Sequence, residues 1–343
     1  MKNQTLNCLS RRHFILGAVS AGVLSNAPPI FSANRQVWRS GKDLPIKVQE
    51  IYPVVHKSRL YVAGGIAKKL ALPYFTQSCF SYDLNADQWQ TEADLPHAIH
   101  HASLVSTQDR LFLVGGFAGS YTNIWRMSAL VLELVDDSWV QVGELPKPQA
   151  EGVLTYSPEG FVHLVTGQSP KGAENSARDD HREVTNHLLW RPGANRWESL
   201  APIPTARNSA TGGWIGDQLI VVGGRTSEGN LADTEIYDLN EDRWRRARPL
   251  PLPQAGTASV MLDDGMIVFG GEIFVPEAGV FANVWRYSLA RDEWLALPDL
   301  PTPRHGLGAG KIGDAAIVVG GATEPSGKGT SARTEILDLT MIN

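Results

Sequence analysis

The sequence has little cysteine, no excess of positive charge and no apolar run of membrane-spanning length. Only Cys8 and Cys79 occur among 343 residues, which excludes a cysteine-rich metal site. The net charge of -5 gives no electrostatic basis for binding nucleic acid or an anionic membrane surface. The longest apolar run lies near the N terminus and is too short for an ordinary membrane span.

The first 27 residues have the composition of an export signal. Arg11 and Arg12 precede an uncharged apolar run from Phe14 to Leu24. The adjacent arginines resemble a twin-arginine signal, whose passengers cross the bacterial inner membrane already folded. We therefore expect residues 1–27 to be the signal and the mature chain, residues 28–343, to lie in the periplasm without a membrane span. Cys79 is then its single cysteine, so no internal disulfide forms.

A repeated eight-residue motif, called the Trp-to-Pro motif below, occurs through the rest of the chain. Each copy, such as WQTEADLP from Trp89, has Trp, then Leu or Ile six residues later, then Pro. The spacings between successive copies are 51, 50, 58, 47 and 50 residues. The six tryptophans are Trp38, Trp89, Trp139, Trp197, Trp244 and Trp294.

A glycine pair recurs in phase with the tryptophans. Gly64-Gly65 is the first example, and Thr166-Gly167 occupies the third position of the series. Short runs rich in β-branched residues, such as RLYVA and QLIVV, precede the pairs and predict buried strands. Four short strands in a unit of about 50 residues, repeated six times, predict an all-β propeller.

The glycine pairs, the Tyr-Asp at Tyr82-Asp83 and Tyr237-Asp238, and the Trp six residues after that Asp resemble kelch repeats. The resemblance implies a single-domain, six-bladed kelch β-propeller, with the tryptophans packing between blades. Asp338 has no Trp six residues later, because Asn343 is the last residue. We therefore expect residues 37–45 to supply the missing outer strand and close the ring.

Candidate catalytic residues occupy one repeat position, 14 residues before the first glycine of each pair. Glu50, His101 and Glu151 stand there in three neighbouring repeats, the third with one extra residue. At the mouth of a central channel they would form an acid/base group of the kind whose pKa values are tuned by their surroundings. Two alternatives remain: solvated strand ends, or a metal ion held by the three side chains, although the spacing matches no metal motif.

Other polar residues are predicted to line the same mouth. Arg207, Asn208, Arg304 and His305 lie near the equivalent position of later repeats, and Arg225, Glu228 and Glu272 lie in loops after glycine pairs. Such a lining suits a polyhydroxylated or anionic small molecule. The loop from Gln168 to His187 is either a solvated insertion or a lid that brings Arg178, Asp180, His181 or Arg182 over the channel.

Among exported bacterial kelch propellers, the chain resembles the periplasmic sialic acid mutarotases (N-acetylneuraminate epimerases). The resemblance implies anomer exchange of a sugar acid by acid/base catalysis without a cofactor. That family has Glu directly after the fourth glycine pair and Arg six residues later. Here Arg225 and Leu231 stand at those positions, with Glu228 between them.

Two other functions are weighed against the mutarotase. The first is a non-catalytic periplasmic propeller whose face binds a glycan or a protein partner. The second is a copper oxidase of the galactose oxidase type, which also has kelch repeats. Cys79 lies near Tyr82, but the matching histidines and second tyrosine are not visible in the sequence.

Overall fold

The apolar runs before the glycine pairs form strands that are buried along most of their length, as predicted. Leu111–Val114, for example, is buried throughout, because β-branched and large apolar side chains pack well on a sheet that is covered on both faces. A computed structural model describes residues 37–69, 72–119 and 123–342. The predicted export signal at residues 1–27 lies outside these residues.

The strands in chain order are β1 (Trp38–Ser40), β2 (Val48–Gln49), β3 (Val54–His56), β4 (Arg59–Ala63), β5 (Ile66–Lys69), β6 (Leu72–Phe75), β7 (Cys79–Asp83), β8 (Gln88–Thr91), β9 (Ser103–Ser106), β10 (Leu111–Val114), β11 (Leu130–Val135) and β12 (Ser138–Glu144). They continue with β13 (Val153–Tyr156), β14 (Val162–Val165), β15 (Gln168–Pro170), β16 (His181–Glu183), β17 (His187–Trp190), β18 (Trp197–Ser199), β19 (Thr211–Ile215), β20 (Gln218–Val222), β21 (Arg225–Thr226), β22 (Gly229–Asn230), β23 (Thr234–Asp238) and β24 (Arg243–Ala247). The last are β25 (Ala258–Met261), β26 (Gly265–Phe269), β27 (Glu272–Ile273), β28 (Gly279–Val280), β29 (Val284–Ser288), β30 (Glu293–Leu297), β31 (His305–Ile312), β32 (Ala315–Ala322) and β33 (Thr334–Asp338). Two 3-10 helices cover Arg178–Asp180 and Leu339–Met341.

Within the described residues these strands build six four-stranded antiparallel sheets. In repeat order they are β3-β4-β7-β8, β9-β10-β11-β12, β13-β14-β17-β18, β19-β20-β23-β24, β25-β26-β29-β30 and β31-β32-β33-β1. The first strand of each sheet contacts the first strand of the next, and β31 contacts β3. This all-β repeat arrangement is consistent with a β-propeller.

The N-terminal segment supplies the outer strand of the last sheet, as expected. β1 pairs with β33 in the register Trp38↔Leu337, Arg39↔Ile336 and Ser40↔Glu335. The Trp38 side chain is buried, packs edge-on against Phe269 and donates a hydrogen bond from its indole to the Pro298 carbonyl at 3.1 Å. This pairing covers a strand edge that would otherwise be exposed.

The Trp-to-Pro motif has a structural role. The indoles of Trp89, Trp139, Trp244 and Trp294 each donate to a backbone carbonyl more than 40 residues earlier in the chain, at 2.8–3.0 Å. The Leu or Ile six residues after each Trp is buried in all six copies. Apolar burial of this kind is the main stabilising term of a fold. The Trp-to-Pro motif therefore recurs because it stabilises each junction between neighbouring sheets.

The loops after the glycine pairs leave the sheets at one end, which we call the loop face. They form the hairpins β5–β6, β15–β16, β21–β22 and β27–β28, and β2 pairs with β5. Among the described residues, no helix is long and apolar enough to cross a membrane.

Candidate functional site

Six residues at one repeat position share a left-handed backbone conformation. Their φ angles lie between 53° and 64°. Inter-sheet hydrogen bonds of 2.7–3.2 Å run from the N–H of one to the carbonyl of another at five of the six steps. The set, called the left-handed ring below, is Glu50, His101, Glu151, Ser209, Gly256 and Gly306. It coincides with the position singled out by counting back from the glycine pairs.

The structure brings the three candidate catalytic side chains together. His101 Nε2 lies 3.1 Å from Glu50 Oε2 and 3.2 Å from Glu151 Oε1. The side chains of His101 and Glu151 are only 4% and 3% exposed, whereas that of Glu50 is 13% exposed. Glu50 is therefore the member of the trio that best reaches solvent.

The hydrogen bonds of His100 fix the protonation of His101. His100 Nε2 lies 2.9 Å from the Ile124 carbonyl, which only accepts, so this nitrogen carries a proton. His100 Nδ1 then accepts from His101 Nδ1 at 2.6 Å. Because His101 Nε2 faces two carboxylates, both of its ring nitrogens donate, and we assign His101 as an imidazolium.

The surroundings shift the pKa values of His101, His100 and Glu50 in the directions that agree with this assignment. Burial alone would lower the pKa of His101, but the Glu50 and Glu151 carboxylates raise it above its usual value. Burial and the charge on His101 lower the pKa of His100 to about 3. Burial would raise the pKa of Glu50, yet His101 and the more distant His305 and Arg225 hold it well below its usual range. Glu50 is therefore an ionised and weakly basic carboxylate.

A second group of charges adjoins the trio. Arg225 Nη1 donates to Glu272 Oε1 at 2.7 Å, and Glu272 Oε2 lies 3.3 Å from His305 Nδ1. The same His305 nitrogen is 3.7 Å from Glu50 Oε1, so the two groups are continuous. The charged cluster, as we call it, consists of Glu50, His101, Glu151, Arg225, Glu272 and His305.

Two further candidates lie at the edge of this cluster. Asn208 is buried, donates from Nδ2 to Glu183 at 2.9 Å and accepts from Arg225 Nε at 3.3 Å. Its amide thus positions the guanidinium. Glu228 is exposed in the turn between β21 and β22, outside the cluster.

The geometry gives Arg207 and Arg304 a structural role instead of the expected contact with a ligand. Both side chains are fully buried and form ion pairs with Glu235 and Glu335. Each also donates to the carbonyl of the first glycine of its repeat, at 3.2 and 2.8 Å. With their donors used inside the sheet, these two residues leave the set of ligand-binding candidates.

The equivalent position in other repeats shows how the structural role of Arg207 and Arg304 could have been predicted from the sequence. Gln149 and Gln254 stand at the equivalent position, and each amide donates to the corresponding carbonyl of its own repeat. Arg at this position, paired with a buried Glu in the third strand of the sheet, therefore has the same role as Gln. In both cases the side chain donates to a backbone carbonyl at the glycine-pair position of its own repeat, an interaction that we call the backbone clamp.

The third-repeat loop forms an ordered hairpin, β15–β16, on the loop face. Asn175 ties it to the second repeat, because its amide exchanges two hydrogen bonds with the Met127 backbone at 2.9 and 3.0 Å. The Arg178 guanidinium lies 4.7 Å from the centre of the Trp125 ring. Asp180 accepts from the backbone of its own loop, at 2.8 Å from both Ser176 and Ala177.

A pocket of about 400 Å³ lies between this hairpin and the loops of the fourth and fifth repeats. Arg178, His181 and Arg182 line it from the hairpin, and Asn208 and Arg225 line it from the fourth repeat. Sequence reasoning missed Lys171 and Phe274, which also line it, because loop conformation decides their position.

Tyr52 was also missed, because the left-handed turn at Glu50 interrupts the extended chain before it. Its ring lies 6.4 Å from that of His101, measured between the ring centres. Burial and the carboxylates of Glu151 and Glu50 raise its pKa well above the usual value. Tyr52 therefore stays a neutral hydroxyl beside the trio. In the part of the chain that the structure describes, no group of three His, Cys, Asp or Glu side chains is arranged to hold a metal ion.

Comparison with known proteins agrees with the repeat architecture. The Kelch motif matches residues 206–251. The chain is 24% identical to the Kelch-like protein terF of Aspergillus terreus, over 62% of this chain and 47% of the relative. It is 30% identical to human Kelch-like protein 34 over 43% and 23%, and 25% identical to Beta-scruin of Limulus polyphemus over 54% and 25%.

The fold and the loop-face site define an all-β repeat protein. The motif match and the similarity to these Kelch-like proteins support the presence of kelch repeats in the chain. The matched regions cover less than half the length of each of the three relatives.

Proposed function

We propose that this chain is a binding protein, a six-bladed kelch propeller closed by β1 that holds a small polar ligand at its loop face. One observation carries the proposal. Glu50, His101 and Glu151 meet at left-handed positions where two equivalent repeats have glycine; His101 and Glu151 are buried there and Glu50 is partly exposed. A non-glycine residue in this conformation costs on the order of 1 kcal/mol or more, so the three side chains are retained against a backbone cost.

The electrostatics favour binding over catalysis. Glu50 is the most exposed member of the trio, and its pKa lies well below the usual range. A carboxylate of this kind accepts hydrogen bonds well but is a weak general base. A ligand rich in hydroxyl groups suits it, which supports a glycan or a sugar.

The test uses two glycines of the left-handed ring. A methyl group on Gly306 would lie 2.7 Å from Glu50 Oε1, whereas one on Gly256 would meet nothing closer than 3.5 Å. Both glycines have positive φ, so Gly306→Ala and Gly256→Ala carry the same backbone strain. Only the first displaces Glu50.

Calorimetric titration with neutral and acidic monosaccharides, followed by a glycan array, measures binding to the parent protein and both variants. We expect Gly306→Ala to weaken binding at least tenfold while Gly256→Ala binds like the parent, with similar losses in melting temperature. Equal binding by the two variants would contradict a site at Glu50.

A sugar mutarotase is the second candidate, favoured by an acid and a carboxylate within hydrogen-bond distance of each other. The carboxylate would take the proton of the anomeric hydroxyl, His101 would protonate the ring oxygen, and the bond from that oxygen to the anomeric carbon would break before reclosure. NMR exchange between anomers of N-acetylneuraminate, then of uronic and neutral sugars, tests this. Glu50→Gln, His101→Gln and Glu151→Gln should each slow any acceleration by roughly a hundredfold; no acceleration by the parent would exclude it.

We further propose a periplasmic location, on the basis of the signal-like residues 1–27. A protein partner on the propeller face is the remaining alternative to a glycan. It would be detected if no sugar binds and a partner is captured by the parent protein but not by Gly306→Ala.

A further inference from the structure

The outer strand of the fourth sheet, β24, has a high density of exposed positive charge. Four arginines occur among the six residues 243–248, and all four are exposed. The net charge of the whole chain is -5, so this concentration of positive charge is local. The set, called the arginine edge below, is Arg243, Arg245, Arg246 and Arg248.

The outer strands of the other five sheets show that the fold does not need these arginines. β8, β12, β18 and β30 contain no Lys or Arg, and β1 contains only Arg39. Charged side chains on an edge strand commonly prevent aggregation through that edge. Yet β12 exposes Val140 and Val142 on its edge strand instead. Protection of a strand edge therefore does not account for four arginines on β24.

The protein itself leaves most of this charge unpaired. Among the described residues only Arg243 of the four forms an ion pair, at 2.6 Å, and both partners are more than half exposed. Such a pair contributes little to stability because solvent screens it. Arg245 donates to the neutral amide of Gln218 at 3.1 Å, and Arg248 Nε donates to the Asp292 backbone carbonyl at 3.4 Å.

Carboxylates in the adjacent turns are already hydrogen-bonded within the fold. Asp242 and Asp292 each accept from a tyrosine hydroxyl and from a backbone N–H. Asp238 accepts from two backbone N–H groups of its own turn. These carboxylates lower the positive potential of the arginine edge, but they leave most of its guanidinium donors available to another anion.

The backbone of β24 adds hydrogen-bonding groups to this charge. In the part of the chain that the structure describes, β24 pairs only with β23. Alternate residues of an antiparallel strand direct their N–H and C=O groups away from the partner, so β24 can accept a further strand. Arg243 and Arg245 lie on one face of β24, and Arg246 lies on the other with Trp244. An added strand would therefore have guanidinium groups beside both of its faces.

An acidic, extended protein segment fits these features better than a large polyanion. Guanidinium groups bind carboxylates through paired donors, and the segment's own N–H and C=O groups match those of β24. Charges beyond a Debye length of about 8–10 Å are screened, so a short segment mainly experiences the arginine edge. A nucleic acid or an anionic membrane would contact more of a molecule whose net charge is negative, and neither can pair with a strand edge.

We propose that the arginine edge binds an acidic, extended segment of a partner protein, which joins the fourth sheet as a strand beside β24. The six residues 243–248 span about 17 Å at about 3.3 Å per residue, so a segment of five or six residues covers them. Asp or Glu on both faces of the segment would contact the guanidinium groups. The arginine edge shares no residue with the charged cluster, so the inference is independent of a ligand at Glu50.

The experiment measures binding of labelled octapeptides to the protein by fluorescence anisotropy. The first peptide is Thr-Glu-Glu-Thr-Thr-Glu-Glu-Thr, which places two carboxylates on each face of a strand. The second has Gln in place of Glu, and the third keeps the acids but has Pro at the two central positions, where Pro cannot pair in a sheet. We expect the acidic peptide to bind at least ten times more tightly than the Gln peptide and several times more tightly than the Pro peptide. Its affinity should fall as salt rises.

Two double variants locate the peptide. Arg245→Glu/Arg246→Glu should weaken binding of the acidic peptide at least tenfold. Arg39→Glu/Arg196→Glu makes the same change in net charge at exposed positions on or beside two other outer strands, and it should change binding less than twofold. Melting temperatures like that of the parent confirm that both variants are folded.

Three results would overturn the proposal. The first is no binding of the acidic peptide, or equal weakening by the two double variants. The second is a Pro peptide that binds as tightly as the acidic one, since this excludes strand addition. The third uses an oligonucleotide of eight thymidines and vesicles containing phosphatidylglycerol. If either binds more tightly than the acidic peptide and is lost in Arg245→Glu/Arg246→Glu, the arginine edge recognises a polyanion instead of a protein segment.

Discussion

The buried pair His163 and His187 predicts a loss of stability in acid that the structure allows to be calculated. His163 Nδ1 and His187 Nε2 lie 2.8 Å apart, and the side chains are 0% and 1% exposed. His187 packs edge-on against Tyr237, and His163 against Trp214. Burial lowers the pKa of His163 to about 3, with a contribution from His187, and lowers that of His187 to about 4.

The direction in which stability changes with pH follows from proton binding. The folded protein keeps both rings neutral, whereas in the unfolded chain they take up protons below the ordinary value of 6.5. The stability contribution is therefore complete above pH 6.5 and is lost as the pH falls toward 4 and then 3. At pH 5 each histidine costs about 2 kcal/mol, so the pair costs about 4 kcal/mol relative to pH 7.5.

The assay is urea unfolding at pH 7.5 and pH 5.0. The double variant His163→Leu/His187→Leu removes both titrating groups and leaves no unpaired nitrogen behind. We expect the parent to lose about 4 kcal/mol more than this variant between the two pH values. His97→Leu, at an exposed position, serves as the control and should behave like the parent. Equal losses by parent and double variant would refute the reasoning.

Three further predictions concern stability and export. Arg304→Ala leaves a buried carboxylate unpaired and should cost about 3–5 kcal/mol in urea unfolding, whereas Arg243→Ala in an exposed pair should cost less than about 1 kcal/mol. Equal costs would contradict the backbone clamp. Trp38→Ala should lower stability by about 3–5 kcal/mol, and a melting curve like the parent's would show that β1 contributes little to the last sheet. Changing Arg11 and Arg12 to Lys should leave the precursor in the cytoplasm on cell fractionation; normal periplasmic accumulation would rule out the twin-arginine route.

Much of the fold could be predicted because equivalent residues recur at similar spacings in each repeat. A repeated Tyr-to-Asp contact is an example, since the Tyr82, Tyr237 and Tyr287 hydroxyls each donate to an Asp five residues later. Those Asp carboxylates also accept from the backbone of a distant segment. A motif that joins neighbouring repeats must recur at a fixed spacing, so counting finds it.

The candidate site could be predicted only in part. The proximity of Glu50, His101 and Glu151 could be predicted because their distance from the glycine pairs is set by strand length. Arg207 was misassigned because a count gives the position of a residue but not where a long side chain ends. The pocket was missed because Asn175 and other local contacts determine the shape of the third-repeat loop.

The left-handed ring gives a physical reason to treat the trio as functional. The backbone requires positive φ at all six positions, and the fifth and sixth repeats meet this requirement with Gly256 and Gly306. Glycine has no Cβ penalty there. Glu, His and Glu accept that penalty and also bring two carboxylates into a buried site, where they must be neutralised by an imidazolium. For this reason we propose a ligand-binding role for these three side chains, whose positions are fixed by the strained backbone beneath them.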